Sequence, residues 1–194
     1  KSLGQNFLIN EKILNLIVNL GEIKKNDNVL EVGPGTGNLT EKILNKNPKN
    51  FFVIEKDRRL ISLLNKKFKN KINLYNEDIL NFSYKNLNNK ELIIYGNLPY
   101  NISTQILVSW IRLDNLSAFC KKFILLFQKE VADRIIAEQN SKNYGRLSIL
   151  TSWKLNVKKI IDIEPENFRP SPKVKSSLLI FEPKTKYLNL KSKS

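Results

Sequence analysis

The sequence contains no histidine, no methionine and a single cysteine, Cys120. One cysteine excludes an intrachain disulfide, and without histidine no Cys/His constellation for zinc can form; a reducing, cytoplasmic setting fits this usage. The commonest proton-transfer side chain is also missing, so any chemistry must proceed without an imidazole base. No apolar run approaches the roughly 20 residues that a membrane helix requires, and the amino terminus lacks the apolar centre of a signal peptide. A soluble protein with no membrane partner is expected. The lack of methionine implies that the natural start lies outside this chain, which begins at Lys1.

Acidic residues are scarce beside basic ones, 18 against 33, leaving a formal charge of +15. A field of that size favours a polyanion, and a phosphate backbone would be held through counterion release without any choice of sequence. Lys- and Asn-rich surfaces also arise from compositional bias, so scattered lysines do not decide the matter. Lys121, Lys122, Lys154, Lys158, Lys159, Arg169, Lys173 and Lys175 crowd the second half of the chain. The polyanion-facing side is expected there.

What is present suffices for one ample core: 194 residues of which 41% are hydrophobic, with no internal repeat and no evident boundary. Short apolar runs alternate with amphipathic stretches, the pattern of an α/β domain. Glu11 to Leu20 reads as a helix with Ile13, Leu14, Ile17 and Val18 on one stripe and Gly21 at its end. Strand Asn28 to Val32, helix Asn38 to Asn45, strand Phe51 to Glu55 and helix Asp57 to Phe68 follow. Strands Ile72 to Tyr75 and Leu92 to Gly96, and a helix over Ile102 to Ile111, fill the middle. Strand Phe123 to Phe127 precedes helices over Lys129 to Glu138 and around Leu147 to Trp153. Lys158 to Ile163 and Ser177 to Phe181 then form a strand pair. Pro165, Pro170 and Pro172 are expected to keep the connection between them irregular.

The motifs fall at the ends of these strands. Glu31 to Gly37, with glycines at 33, 35 and 37, joins the first main strand to a helix, so backbone can approach a ligand and helix N–H groups lie beside it. The spacing departs from G-x-G-x-x-G, which favours a ligand without a pyrophosphate over a dinucleotide. Glu55 ends the next strand 22 residues beyond Gly33, where an acid can accept from ribose hydroxyls. Helix capping by Glu55 or Asp57 accounts for an acid there equally well. Asp78 follows the third strand and could accept from an adenine amino group, or close a turn. Asn97-Leu98-Pro99-Tyr100 comes directly after an apolar run: an amide oxygen, a backbone carbonyl, a fixed turn and an aromatic ring. Two acceptors on the N–H bonds of an exocyclic amine favour its electron-rich, pyramidal form, which is what methylation of a base requires. On its own, Asn-x-Pro also reads as an ordinary strand-to-turn junction.

Together these motifs resemble the small-subunit ribosomal RNA adenine dimethyltransferase family (KsgA type). The resemblance runs through Gly4-Gln5-Asn6-Phe7-Leu8, Val32-Gly33-Pro34-Gly35, Val53-Ile54-Glu55, Asp78 and Gly96-Asn97-Leu98-Pro99-Tyr100-Asn101-Ile102-Ser103-Thr104. It continues through Gln128-Lys129-Glu130-Val131, Tyr144-Gly145-Arg146-Leu147-Ser148 and Phe168-Arg169-Pro170-Ser171-Pro172-Lys173-Val174, spanning nearly the whole chain. It implies a Rossmann-like, S-adenosylmethionine-dependent methyltransferase fold: a mostly parallel seven-stranded sheet with an antiparallel carboxyl-terminal strand pair. It also implies that residues 1–194 are a catalytic domain without the small helical domain that follows it in the family.

By the same resemblance, Asn6 and Leu8 belong to a segment closing over the cofactor, Gly33 to the loop under its methionine part, Glu55 to its ribose and Asp78 to its adenine. Asn97 is shared between cofactor and target base, Leu98 offers its carbonyl after the turn at Pro99, and Tyr100 and Phe168 sandwich a flipped adenine. No metal is implied. The expected reaction is dimethylation at N6 of two adjacent adenines in a hairpin loop near the 3′ end of the rRNA. The expected partner of this monomer is the small ribosomal subunit or its precursor. Alternatives are the large-subunit dimethyltransferase of the macrolide-resistance type, a DNA adenine methyltransferase, and a mainly non-catalytic assembly factor.

Overall fold

The computed structural model describes residues 5–87 and 91–188. Gly4 of the first motif and residues 189–194 lie outside that range. In chain order the elements are β1 (Phe7–Leu8), α1 (Glu11–Leu20), β2 (Asn28–Val32), α2 (Asn38–Leu44), β3 (Asn50–Glu55), α3 (Arg58–Phe68) and β4 (Asn73–Asn76). There follow β5 (Leu92–Asn97), α4 (Ser103–Ile111), α5 (Leu116–Phe119), β6 (Cys120–Gln128), α6 (Lys129–Ile135), α7 (Arg146–Lys154), β7 (Leu155–Ile163), β8 (Phe168–Arg169) and β9 (Ser176–Pro183).

The seven-stranded sheet has the order β4-β3-β2-β5-β6-β9-β7. Strands β4, β3, β2, β5 and β6 are mutually parallel, whereas β9 runs antiparallel to both β6 and β7. The expected α/β sheet with its antiparallel carboxyl-terminal pair is therefore present, with β9 inserted beside β6 and β7 at the edge.

Continuous apolar runs in the parallel strands follow from burial on both faces. Along β2 and β3, Leu30, Val32, Phe52 and Ile54 point to a core closed by Ile106, Leu107 and Trp110 of α4. The intervening Val29, Phe51 and Val53 point to the other core, closed by Leu14, Ile17 and Val18 of α1, Ile43 of α2 and Leu64 of α3. Helix α1 starts where expected because the Asn10 side chain accepts from the backbone N–H groups of Lys12 and Ile13, at 3.0 and 3.2 Å. It stops at Gly21, where a Cβ would sit 1.8 Å from the Tyr95 hydroxyl.

Two expectations need correction, and one short element was not foreseen. Helix α6 ends at Ile135 rather than Glu138. The short α5, Leu116–Phe119, had no periodicity long enough to be seen. The proline-rich connection is not wholly irregular, because Phe168–Arg169 pairs antiparallel with Phe7–Leu8, and Ile9 N–H donates to the Asn167 carbonyl at 2.9 Å. A two-residue strand leaves almost no period-2 signal, and its partner lies at the opposite end of the chain.

Candidate active site

The site occupies the carboxyl ends of four neighbouring parallel strands, where open α/β sheets bind ligands. In spatial order these are β4, followed by Asp78; β3, ending in Glu55; β2, followed by Gly33; and β5, ending in Asn97. The turn after β2 takes Gly33, Gly35 and Gly37 through φ values of +69°, +58° and +82°, a left-handed path that side chains resist. Gly33 N–H donates to the Ile54 carbonyl at 3.0 Å, tying the loop to β3. Phe7 lies on this loop so closely that a Cβ on Gly35 would be 2.4 Å from its ring. The amino-terminal segment thus covers the glycine turn.

A cleft of about 660 Å³ is bordered by Gly33, Glu55, Lys56, Asp78, Ile79, Tyr100 and Ile102. A recess of about 50 Å³ continues from Glu55 and Gly33 to Asn6, Asn97, Leu98, Pro99 and Tyr100. A further recess of about 30 Å³ lies between Leu8, Glu31, Gly33, Asn38 and Asn97. The structure therefore brings Asn6, Gly33, Glu55, Asp78, Asn97, Leu98, Pro99 and Tyr100 together. Leu8 reaches the region differently: its side chain is buried, and its carbonyl accepts from Asn38 Nδ2 at 2.9 Å.

Glu55 is 4% exposed and accepts from the Asp57 N–H at 2.8 Å. Asp57, not Glu55, caps α3, accepting from the Arg59 N–H at 3.0 Å. Burial raises the pKa of Glu55 above the ordinary glutamate range, while backbone N–H groups of Asp57, Lys56 and Gly35 pull the other way. Asp78 shows the opposite behaviour. Its bond to Lys56 Nζ, at 2.8 Å, holds its carboxyl below the usual range, and its second oxygen accepts from Leu80 N–H at 3.1 Å.

Asn97 donates through Nδ2 to the Asn6 carbonyl at 2.8 Å. Because that partner only accepts, the amide is oriented with Oδ1 as its remaining acceptor. Pro99 opens the turn that leads into α4, its carbonyl accepting from Ile102 and Ser103 N–H at 3.1 and 3.0 Å. Tyr100 is half-buried and shares a 2.6 Å hydrogen bond with the Ser176 hydroxyl; burial pushes its phenol pKa up.

Phe168 departs from expectation. It is fully buried, at 0% exposure, in the core that also contains Leu8, Leu126 and Leu178, and it borders none of the three cavities above. The β1–β8 ladder is the physical reason: with Arg169 turned out to solvent, the alternation of a strand turns Phe168 inward. It is not a second open face opposite Tyr100 in this structure.

Several expected polyanion contacts are likewise engaged internally. Lys154 is 4% exposed; its Nζ donates to the Leu113 carbonyl at 2.8 Å and lies 4.7 and 5.0 Å from the Trp153 and Tyr187 ring centroids. Lys122 bonds the Leu20 carbonyl, and Lys159 is held by Asp133 and Asp162. Lys175 pairs with Glu164. Arg169 and Lys173 are exposed.

Three contributors escaped the sequence reading. Lys56 directly follows Glu55 but could be paired with Asp78 only once β3 and β4 were aligned. Ser176 meets Tyr100 across 76 positions. Glu31, 1% exposed, accepts from the Thr40 hydroxyl at 2.7 Å, and burial pushes its pKa up to about 8.

A family model described as ribosomal RNA adenine dimethylase matches residues 1–193. The ribosomal RNA small subunit methyltransferase A of Pelagibacter ubique (strain HTCC1062) is 54% identical over 191 residues, 98% of this chain and 72% of that protein. The protein of the same name from a Wolbachia sp. (subsp. Drosophila simulans, strain wRi) is 44% identical over 187 residues, 94% of this chain and 67% of its own length. A dimethyladenosine transferase structure from Plasmodium falciparum superposes with a TM-score of 0.82 at 34% identity, covering 92% of this chain and 63% of that one. The structure of the 23S rRNA methyltransferase ErmE also gives a TM-score of 0.82, covering 95% of this chain and 72% of its own, but at 23% identity it speaks for the fold alone. With a match of this extent and these identities, the chain belongs to the ribosomal RNA adenine dimethylase family.

Proposed function

We propose that the protein transfers methyl groups from S-adenosylmethionine to N6 of two adjacent adenines in the 3′-terminal hairpin loop of small-subunit rRNA. The product is N6,N6-dimethyladenosine, and the setting is cytoplasmic small-subunit biogenesis by a monomer. The observation that carries this reading is that Asn97 and Tyr100, the base-facing part of the family motif, border the same recess as Glu55 and Gly33. The relatives at 54% and 44% identity are both named for the small subunit, which favours that substrate over the large-subunit alternative.

The volume and lining of the cleft suit this cofactor. Its volume of about 660 Å³ lies within the range of small-molecule sites, with apolar walls at Ile79 and Ile102 and a few convergent acceptors. Glu55 would accept from the ribose hydroxyls, Asp78 from the adenine amine once its bond to Lys56 is exchanged, and Gly33 would admit the methionine part at close range. Asn6 and Leu8 would belong to the amino-terminal segment that covers it. When bound, the cofactor supplies an electrophilic methyl group.

The chain's own residues then act on the base. Asn97 Oδ1 and the Leu98 carbonyl accept the N–H bonds of the adenine amine, holding its lone pair out of conjugation, while Pro99 fixes the turn and Tyr100 lies against the ring. The amine becomes acidic only as it attacks, so its proton leaves afterwards and no histidine is required. The target adenine must be unstacked to enter, which an rRNA loop allows and a duplex resists. The test is nucleoside analysis of unmodified small-subunit rRNA after incubation with the protein and the methyl donor. N6,N6-dimethyladenosine is the expected product; its absence with folded, cofactor-bound protein would overturn the reading.

A further inference from the structure

We propose that Ser176 is a positioning residue for the target base, acting through Tyr100. The inference rests on the reading above that Tyr100 provides a face for that base.

The Ser176 hydroxyl is fully buried at 0% exposure, and among the described residues its side-chain partner is the Tyr100 phenol, 2.6 Å away. A buried hydroxyl with a single short partner is an obligatory bond rather than an incidental one, since breaking it strands a polar group away from water. Ser176 is itself tightly placed. It begins β9, in register with Gln128 of β6 on one side and Ile163 of β7 on the other, and the preceding residue, Lys175, accepts through its carbonyl from Lys129 N–H at 2.9 Å. The hydroxyl is therefore carried on backbone fixed from both sides.

Tyr100 needs such an anchor. It follows the turn at Pro99, precedes α4, and presents a half-buried ring to the cleft. A ring held only at its Cβ end turns about two side-chain torsions. A bond at the phenolic end, 76 residues away in sequence, fixes its plane before the base arrives. An adenine must lie flat against that plane with its amine aimed at the Asn97 acceptor, so a face that is already set avoids an ordering cost at the moment of binding and transfer. The same bond ties the Asn97–Tyr100 turn, at the end of the parallel strands, to the antiparallel edge.

The experiment is a double-variant cycle with Ser176→Ala and Tyr100→Phe, with Tyr100→Ala as reference, measured on unmodified small subunits at saturating substrate. Each single variant keeps the ring and removes the same hydrogen bond from opposite ends. Each is expected to lower kcat by about five- to tenfold, with cofactor affinity unchanged. The double variant should lose no more than either single one, whereas Tyr100→Ala should lose more. Additive losses, or full turnover in a folded Ser176→Ala, would overturn the inference. Should Ser176→Ala fail to fold, full turnover in Tyr100→Phe would overturn it equally. Unimpaired transfer by Tyr100→Ala would instead remove the base-face reading on which it rests.

Discussion

The two halves of the sheet are built on different principles. From β4 to β5 the strands are parallel, both faces are covered by helices, and Gly33, Glu55 and Asp78 each sit at a strand end beside close sequence neighbours: Gly33 in its turn, Glu55 two residues before the cap residue Asp57, Asp78 two residues before Leu80. From β6 to β7 the strands mix direction, and in this half and the separate β1–β8 ladder beside it the decisive contacts join distant segments. Phe7–Leu8 pairs with Phe168–Arg169, Asn10 bonds Asn167 across 157 positions, and Tyr100 bonds Ser176 across 76. The floor of the cofactor cleft is thus built mainly by successive βα units, whereas Tyr100 and the amino-terminal segment over the glycine turn are held by contacts between distant parts of the chain. Loss of a cofactor-side residue should therefore be read in binding, and loss of a base-side residue in stability or turnover.

Phe168→Ala should break this contrast most severely if the account is wrong. As a fully buried side chain in the β1–β8 region, it should cost about 3–5 kcal/mol of stability, or roughly 10 °C in Tm for a domain of this size, while the folded fraction keeps its cofactor affinity. Unchanged Tm with lost transfer would return Phe168 to the role of a stacking face. Asn97→Ala, at the junction of the halves, should lower kcat by about 10²- to 10³-fold by removing an acceptor aimed at the reacting amine. Near-normal turnover at saturating substrate would remove Asn97 from the chemistry.

Glu55→Ala tests the cofactor side alone. It should weaken cofactor binding by about 1.5–3 kcal/mol and leave RNA affinity nearly unchanged. Because burial raises its pKa, binding by the native protein should decline on acidification from a pH above the ordinary glutamate range. Calorimetry across pH should show that decline vanish in Glu55→Gln. The most gradual expected effect is at Glu31, whose carboxyl pKa is raised by burial from 4.5 to about 8. The folded state then holds a proton that the unfolded state has lost, so native stability falls as pH rises through that window, by at most about 1.4 kcal/mol per pH unit from this group. Glu31→Gln, which can still accept from Thr40, should flatten the fall; identical pH profiles in thermal melts would contradict the assignment.

The same contrast explains what was legible in the sequence. Runs such as Asn28 to Val32 and the Ile13–Val18 stripe declare strand and helix by period alone, and the glycines, Glu55 and Asp78 fall at predictable strand ends. That local grammar sufficed for the parallel strands and for the strand-end residues of the cleft, though not for the Lys56–Asp78 and Asn97–Asn6 contacts across it. It placed Phe168 on an irregular loop because a two-residue strand has no readable period, and it assigned Lys154 to an outer face because nothing local announces that Trp153, Tyr187 and the Leu113 carbonyl will enclose its ammonium group. Ser176 stayed invisible for the same reason: one serine among several becomes distinctive only beside Tyr100.

The central claim is best tested by offering the protein a labelled methyl donor together with small subunits lacking the modification, large subunits and duplex DNA. The account predicts label in small-subunit RNA alone, recovered as N6,N6-dimethyladenosine, with binding that weakens as salt rises because the charge of +15 contributes only unselective attraction. Label in large-subunit RNA or in DNA, or tight subunit binding with no label on any substrate, would contradict it.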